Sequence, residues 1–345
     1  MVKDREILVY REKLDRSLAL PDLQNQETVM ALVRNQLLDA SVSGSEGCSD
    51  TVVAERANEI SSVLNMLRSA SSASNHLPKQ SAWKLKDDGH EFRVMYRPGP
   101  DNSPFHSLLT EGYIDASVDK CLCISWESSL YKKWWPQTTV PPFKVTQSQR
   151  LRKLRLGEQI SLVRMKAPWP LSAREAVLHY FKLDFFQENM IIVAFNTISD
   201  PENSIPEVKD FVRMDIVGGF VLQKVSAERS FLRTVATTDM KLDFVPPSLI
   251  NFISRHLLGK GFKLYQKTVT SLTTTRDEEY RKALEDDMYE RIRIAMYGQS
   301  RQKEEEDANG SCIACSTLQD VAVNGEIEDA NGVLEEERPE DMLKT

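Results

Sequence analysis

Cysteine is scarce in this chain. There are five among 345 residues, an odd number without framework spacing. That excludes a disulfide-stapled secreted scaffold and fits a reducing compartment. Long apolar runs are also missing. The longest, Met190–Phe195, is far short of the roughly 20 residues that cross a bilayer. The N-terminus, Met1-Val-Lys-Asp-Arg-Glu6, lacks the apolar stretch of a secretory signal. The expectation is a soluble cytoplasmic protein, at most peripheral to membranes.

Catalytic signatures are equally thin. Gly259-Lys-Gly261 is too short for a phosphate-binding loop and sits in a helical pattern with no strand before it. No Gly-x-Ser-x-Gly elbow and no His-Glu-x-x-His occurs. His76, His90, His106, His179 and His256 are scattered without zinc-site spacing. Cys312-Ile-Ala-Cys315 stands in an acidic segment instead of opening a helix after a strand. Cys121 and Cys123 read as small buried residues of a helix. No metal and no cofactor is expected. Positive charge is missing from the C-terminus: Ser300–Thr345 carries 13 acidic and 4 basic residues, a net of −9 against −7 for the whole chain. The body is therefore close to neutral, which argues against nucleic acid as a partner.

What is present separates into four zones: 1–76, 77–275, 276–299 and 300–345. Hydrophobic residues make up 41% of the chain, enough for a real core. In the first zone Ile7, Leu8, Arg11, Leu14 and Leu18, then Val29, Leu32, Val33 and Leu37, recur at helical spacing. Asp50 caps a third helix carrying Val53, Ala57, Ile60, Val63, Leu64 and Leu67. The second zone changes period from 3.6 to 2. Strands are expected at 83–86, 91–96, 107–114, 148–157, 159–167, 179–186, 189–198, 208–226 and 229–242, with one helix from Ser117 to Trp134. A helix then starts at Pro246-Pro247 and places Ile253, Leu257, Gly261 and Leu264 on one face. A charged helix follows from Asp277 to Met296. The acidic tail is expected to be disordered.

About nine strands with few convergent polar groups have little to do chemistry with, and much with which to enclose something apolar. Five phrases carry a resemblance in this direction. They are Glu111-Gly-Tyr-Ile-Asp-Ala-Ser117 with Lys133-Trp-Trp-Pro136, Ala167-Pro-Trp-Pro-Leu-Ser-Ala-Arg-Glu-Ala-Val177, Val212-Arg213 with Gly219-Phe220, Asp239-Met-Lys-Leu-Asp-Phe-Val-Pro246, and Leu249-Ile-Asn251. In order and spacing these resemble the START domain, the lipid-transfer domain related to steroidogenic acute regulatory protein. It belongs to the helix-grip superfamily, in which some plant members are grouped with polyketide cyclases. Glu175 stands where that family usually has Asp.

The resemblance implies an α+β helix-grip fold over about 77–275. A curved antiparallel sheet of about nine strands surrounds a long C-terminal helix, with added N-terminal helices. It implies a lipid or sterol ligand in an internal cavity, no chemistry, and gating by that helix. Cavity and lid candidates are then Ile253, Leu257, Gly261 and Leu264, with Arg213 and Arg164 as cations for a lipid headgroup if they point inward. Trp134, Trp135 and Trp169, beside Lys132 and Lys133, are candidates for a lipid-access surface. Two other readings stay open. One is a cyclase-like enzyme using Asp184, His179 or Asp239. The other is a lipid-gated scaffold that binds a protein partner through 1–75 or 276–298.

Overall fold

Period-2 alternation and 3.6-period stripes both resolve into regular elements in the computed structural model, and the strands come together in one sheet. The structure describes residues 2–39, 49–71, 83–98, 106–135, 144–167, 171–198, 209–241 and 247–298, with the side chains of 2–5, 98 and 247–260 outside that set. The helices before the sheet are α1 (Val2–Leu18), α2 (Pro21–Gln24), α3 (Gln26–Asp39) and α4 (Asp50–Arg68). Ser49, one residue earlier than expected, caps α4, its side chain accepting from the Val52 amide. The short hydroxyl reaches the free amide one turn in.

The strands are β1 (Lys84–Asp88), β2 (Phe92–Pro98), β3 (His106–Ile114), β4 (Lys144–Arg155), β5 (Glu158–Lys166), β6 (Ala173–Phe185), β7 (Met190–Thr197), β8 (Phe211–Arg213), β9 (Asp215–Ser226) and β10 (Arg229–Asp239). Between β3 and β4 lie α5 (Val118–Trp126) and α6 (Tyr131–Trp134), separated by a 3-10 turn at Ser128–Leu130. The order across the curved sheet is β1-β2-β3-β10-β9-β7-β6-β5-β4. All these neighbours are antiparallel, and β8 pairs β6 in parallel. The run expected at 208–226 is thus two strands. Met214 divides them: its side chain is buried in the core, and its amide donates to the Glu175 carbonyl (2.9 Å).

β4 forms one edge of the sheet. Three register shifts interrupt it, at Val145/Gln147, Arg150/Arg152 and Lys153/Arg155. Together with Lys144, Arg150, Arg152 and Lys153 these shifts blunt an edge that would otherwise template a further strand.

Beyond β10 come α7 (Pro247–Thr274), α8 (Glu278–Leu284) and α9 (287–298). The expected charged helix is broken at Asp286, which accepts from the Met288 amide (3.0 Å) and so starts α9. Its apolar face is not free: Tyr280, Met288, Tyr289, Ile292 and Met296 are buried in the same core as α7.

Both faces of the sheet are covered. Phe92, Val94, Leu178, Tyr180, Ile191, Val193, Phe220 and Leu232 share a core with α5 to α9. Their neighbours Phe181, Leu183, Ile192, Val221, Phe231 and Val235 share another with α1, α3 and α4. Helices α1 to α4 therefore pack on the sheet within one unit. The expectations for 300–345, including Cys312 and Cys315, and for Trp169 fall outside the described residues. Among those described, no helix is long and apolar enough to cross a membrane.

Candidate functional site

Strand alternation assigns each residue of the central strands to one face. In β3 and β10 the even-numbered residues face α7, because Ile114 and Leu232 lie in its core while Leu109, Phe231 and Val235 lie in the other. In β9 Phe220 and Leu222 face α7, and in β7 Ile191 and Val193 do. Ladder pairing then gives continuous rows across this concave face. One row is Val94–Thr110–Thr234–Phe220–Val193. The next is Tyr96–Leu108–Ala236–Gly218–Phe195–Tyr180. The third runs His106–Thr238–Ile216.

Within these rows the burial is uneven. Thr110, Thr234, Tyr96, Leu108, Ala236, Phe195, His106, Thr238 and Ile216 are only half-buried, though they lie in the middle strands of a sheet. On the opposite face of the same strands Leu109, Glu111, Arg233 and Val235 are fully buried, while Thr237, Asn196 and Val217, nearer the end of the sheet, are not. Close packing leaves few voids as large as water in a filled interior. The α7-facing rows therefore border accessible space that the described side chains leave unfilled.

The two flanks of this floor are closed. On one side, α7 is anchored through Phe262, which stacks on Phe92 at 5.4 Å between centroids. Gly112 makes that seat possible, since a Cβ there would stand 2.8 Å from the Phe262 ring. Gln266 Nε2 donates to the Tyr113 carbonyl, and Tyr265 Oη to the Cys121 carbonyl, each at 2.8 Å. On the other side, Tyr131 Oη meets Tyr180 Oη at 3.0 Å and Trp126 packs edge-on to Tyr180. Burial pushes the Tyr180 hydroxyl up to about 12 and Tyr131 well above its ordinary value, so both stay neutral.

The residues singled out from the sequence divide sharply. Gly261 and Leu264 are half-buried on α7. Ile253 and Leu257 lie in α7, but their side chains are outside the described set. Arg164 and Arg213 take the outward one of the two directions left open for them: Met214 and Met165 lie in the core shared with α7, so these neighbours point the other way. Both bind Glu175, at 2.8 and 2.6 Å, and Arg164 also covers the Phe211 ring at 4.6 Å.

Trp134 and Trp135 are half-buried against the core. Trp134 donates to the Ile124 carbonyl (3.0 Å) and meets Tyr265 edge-on. Lys133 is held by Asp277 at 2.6 Å and Glu279 at 3.1 Å. Trp134 thus packs at the junction of α5, α6 and α7, and both rings stay partly exposed.

Acid–base candidates are also committed elsewhere. His179 Nε2 lies 2.8 Å from Glu158 on the face under α4, where Arg56 and Arg155 bind the same carboxylate. Burial alone would raise Glu158, but the His179 hydrogen bond and the two guanidiniums hold it below the usual carboxylate range. Asp184 pairs with Lys182, and Asp239 with Lys241. None of the three belongs to the floor rows. What sequence reading missed is the floor itself. Its signal was small or polar residues on one face of β10, Ser230, Thr234, Ala236 and Thr238, interrupted by Leu232.

No family model matches the chain, and no curated protein matches it. Solved structures do. Human STARD10 is 17% identical with a TM-score of 0.48, over 60% of this chain and 80% of that one. Human StAR-related lipid transfer protein 5 is 16% identical with a TM-score of 0.48, over 62% and 99%. A STAR-related lipid transfer protein fragment from Xanthomonas axonopodis is 20% identical with a TM-score of 0.45, over 55% and 98%. These carry the name of the family that the five sequence phrases resemble.

Proposed function

We propose that this chain reversibly binds a hydrophobic, lipid-sized ligand on the concave floor beside α7, and performs no chemistry on it. The observation that carries this reading is the half-exposed patch centred on Leu108, Ala236 and Phe195, in strands whose far side is buried at Leu109, Glu111, Arg233 and Val235. Apolar walls with a few polar groups suit such ligands. The displaced acid–base candidates favour binding over catalysis. Extraction and mass spectrometry of lipid co-purifying with the protein, with Nile red titration of the emptied protein, test it. Ala236→Trp fills the floor with a side chain and is expected to weaken Nile red binding at least about tenfold while the protein stays folded, since overpacking at an accessible site is mild. Unchanged affinity would sink the assignment.

Exchange in this reading is gated by α7. Phe262 and the residues after it are anchored, while Gly259 and Gly261 precede the anchor inside one 28-residue helix. Each glycine weakens a helix by about 1 kcal/mol relative to alanine. Converting both to alanine is expected to slow Nile red release several-fold with little change in affinity. Stopped-flow release rates equal to those of the unaltered protein would remove the gate.

A further inference from the structure

The floor is poor in charge, and it carries one shielded ring nitrogen without a partner. His106 opens β3 and stands in the third row, opposite Thr238. Its Nδ1 is shielded from solvent and has no hydrogen-bond partner. No hydrogen bond joins the ring to any other described residue. Leaving such a group unpaired costs about 1–3 kcal/mol, so an apolar residue would serve the empty fold better. Burial lowers the His106 pKa, with Asp239 opposing in part, and the ring is neutral at pH 7. A neutral imidazole donates one hydrogen bond and accepts another.

The neighbouring cations are occupied. Arg164 and Arg213 are held by Glu175 on the far face. Arg174 Nε donates to the Met240 carbonyl at 2.8 Å and Nη2 to that of Lys241 at 3.2 Å. Lys241 is held by Asp215 and Asp239. Among the described residues, the floor rows therefore offer a polar end three threonine hydroxyls (Thr110, Thr234, Thr238) and one imidazole, with no cation.

Resting on the ligand-binding reading above, we propose that His106 is the polar anchor of the floor. It hydrogen-bonds an uncharged hydroxyl at the end of an otherwise apolar ligand, and so selects hydroxyl-ended molecules over carboxylates and plain hydrocarbons. A neutral ring and threonine hydroxyls match the two-way hydrogen bonding of an alcohol. An anion would have to shed its hydration with no counter-charge on the floor.

The test is displacement of Nile red from the full chain by 1-decanol, decanoate and decane, at pH 8. It is run on the unaltered protein, His106→Leu and His106→Asn. The unaltered protein is expected to prefer 1-decanol over decane by about tenfold, the upper range for one neutral hydrogen bond, with decanoate no better than decane. His106→Leu should bring alcohol and alkane within about twofold, and His106→Asn should retain part of the preference. In parallel, the imidazole nitrogen resonances of His106 should shift with 1-decanol and stay put with decane, a readout that needs no variant. An alcohol preference that survives in His106→Leu, or resonances indifferent to 1-decanol, would overturn the anchor while leaving ligand binding intact. Nile red that fails to bind the unaltered protein would overturn the ligand-binding reading and the anchor with it.

Discussion

Glu111→Gln is expected to lose about 3–5 kcal/mol of folding stability, the range for breaking a buried ion pair from one side. Glu111 is 0% exposed and sits in β3 on the face under α1. Three guanidiniums converge on it: Arg11 at 2.8 Å, Arg93 at 2.6 Å and Arg233 at 2.6 Å. Arg233 is likewise 0% exposed and reaches Asp15 of α1 at 2.7 Å. Burial alone would lower the Arg233 pKa, yet Glu111 and Asp15 raise it overall, so the charge persists. A near-isosteric amide removes the central charge without opening a cavity and leaves the arginines facing one another. Urea denaturation measures the loss. Adding Arg233→Met to Glu111→Gln should cost less than the two singles summed, because they share a network. High salt should not imitate the effect in the unaltered protein, since buried pairs are screened little. A Glu111→Gln midpoint within error of the unaltered protein would show that the cluster does not hold α1 to the sheet.

Gly219→Ala is expected to cost about 3 kcal/mol or more, at or beyond the upper end for overpacking. A Cβ at this position would stand 2.3 Å from the Val193 carbonyl oxygen and 2.4 Å from Val63 Cγ1 of α4. The carbonyl belongs to the next strand and cannot move without breaking the ladder. Val63→Ala in the same chain should recover only the part due to the methyl contact. Gly89→Ala is the control, because its nearest neighbour would be 3.6 Å away. It should change stability by less than about 0.5 kcal/mol. Equal urea midpoints for the two alanine variants would refute the claim that α4 seats on Gly219.

These two positions also show why some of the molecule was readable in one dimension and some was not. Partial alternation through 229–239 and the short apolar run in 189–198 announce strands, because side-chain direction has period two whatever the surroundings. The stripe Val53, Ala57, Ile60, Val63, Leu64, Leu67 announces α4 for the same local reason, and all six are buried. The apolar character of both faces in 190–194 and 219–222 also implies a sheet covered twice. Arg213 was different. Alternation put it opposite Met214, but which of the two faces lay inside depended on where α7 came to rest. Glu111 and Arg233 are separated by 122 positions, and neither carries a local mark of the other. The anchor candidate His106 looked like one scattered histidine among five, since its neighbours across the ladder, Thr238 and Ile216, arrive from strands formed more than a hundred residues later.

The order of helices and strands, the near-neutral body and the glycine positions were written locally, because backbone propensity and side-chain periodicity act over a few residues. The burial of Glu111 beneath α1, the outward turn of Arg164 and Arg213, and the half-exposed rows around Ala236 were decided only when helices settled on both sides of the sheet. Long-range packing chooses which face of a strand meets solvent, which meets a helix and which is left with room, and no short stretch of chain encodes that choice.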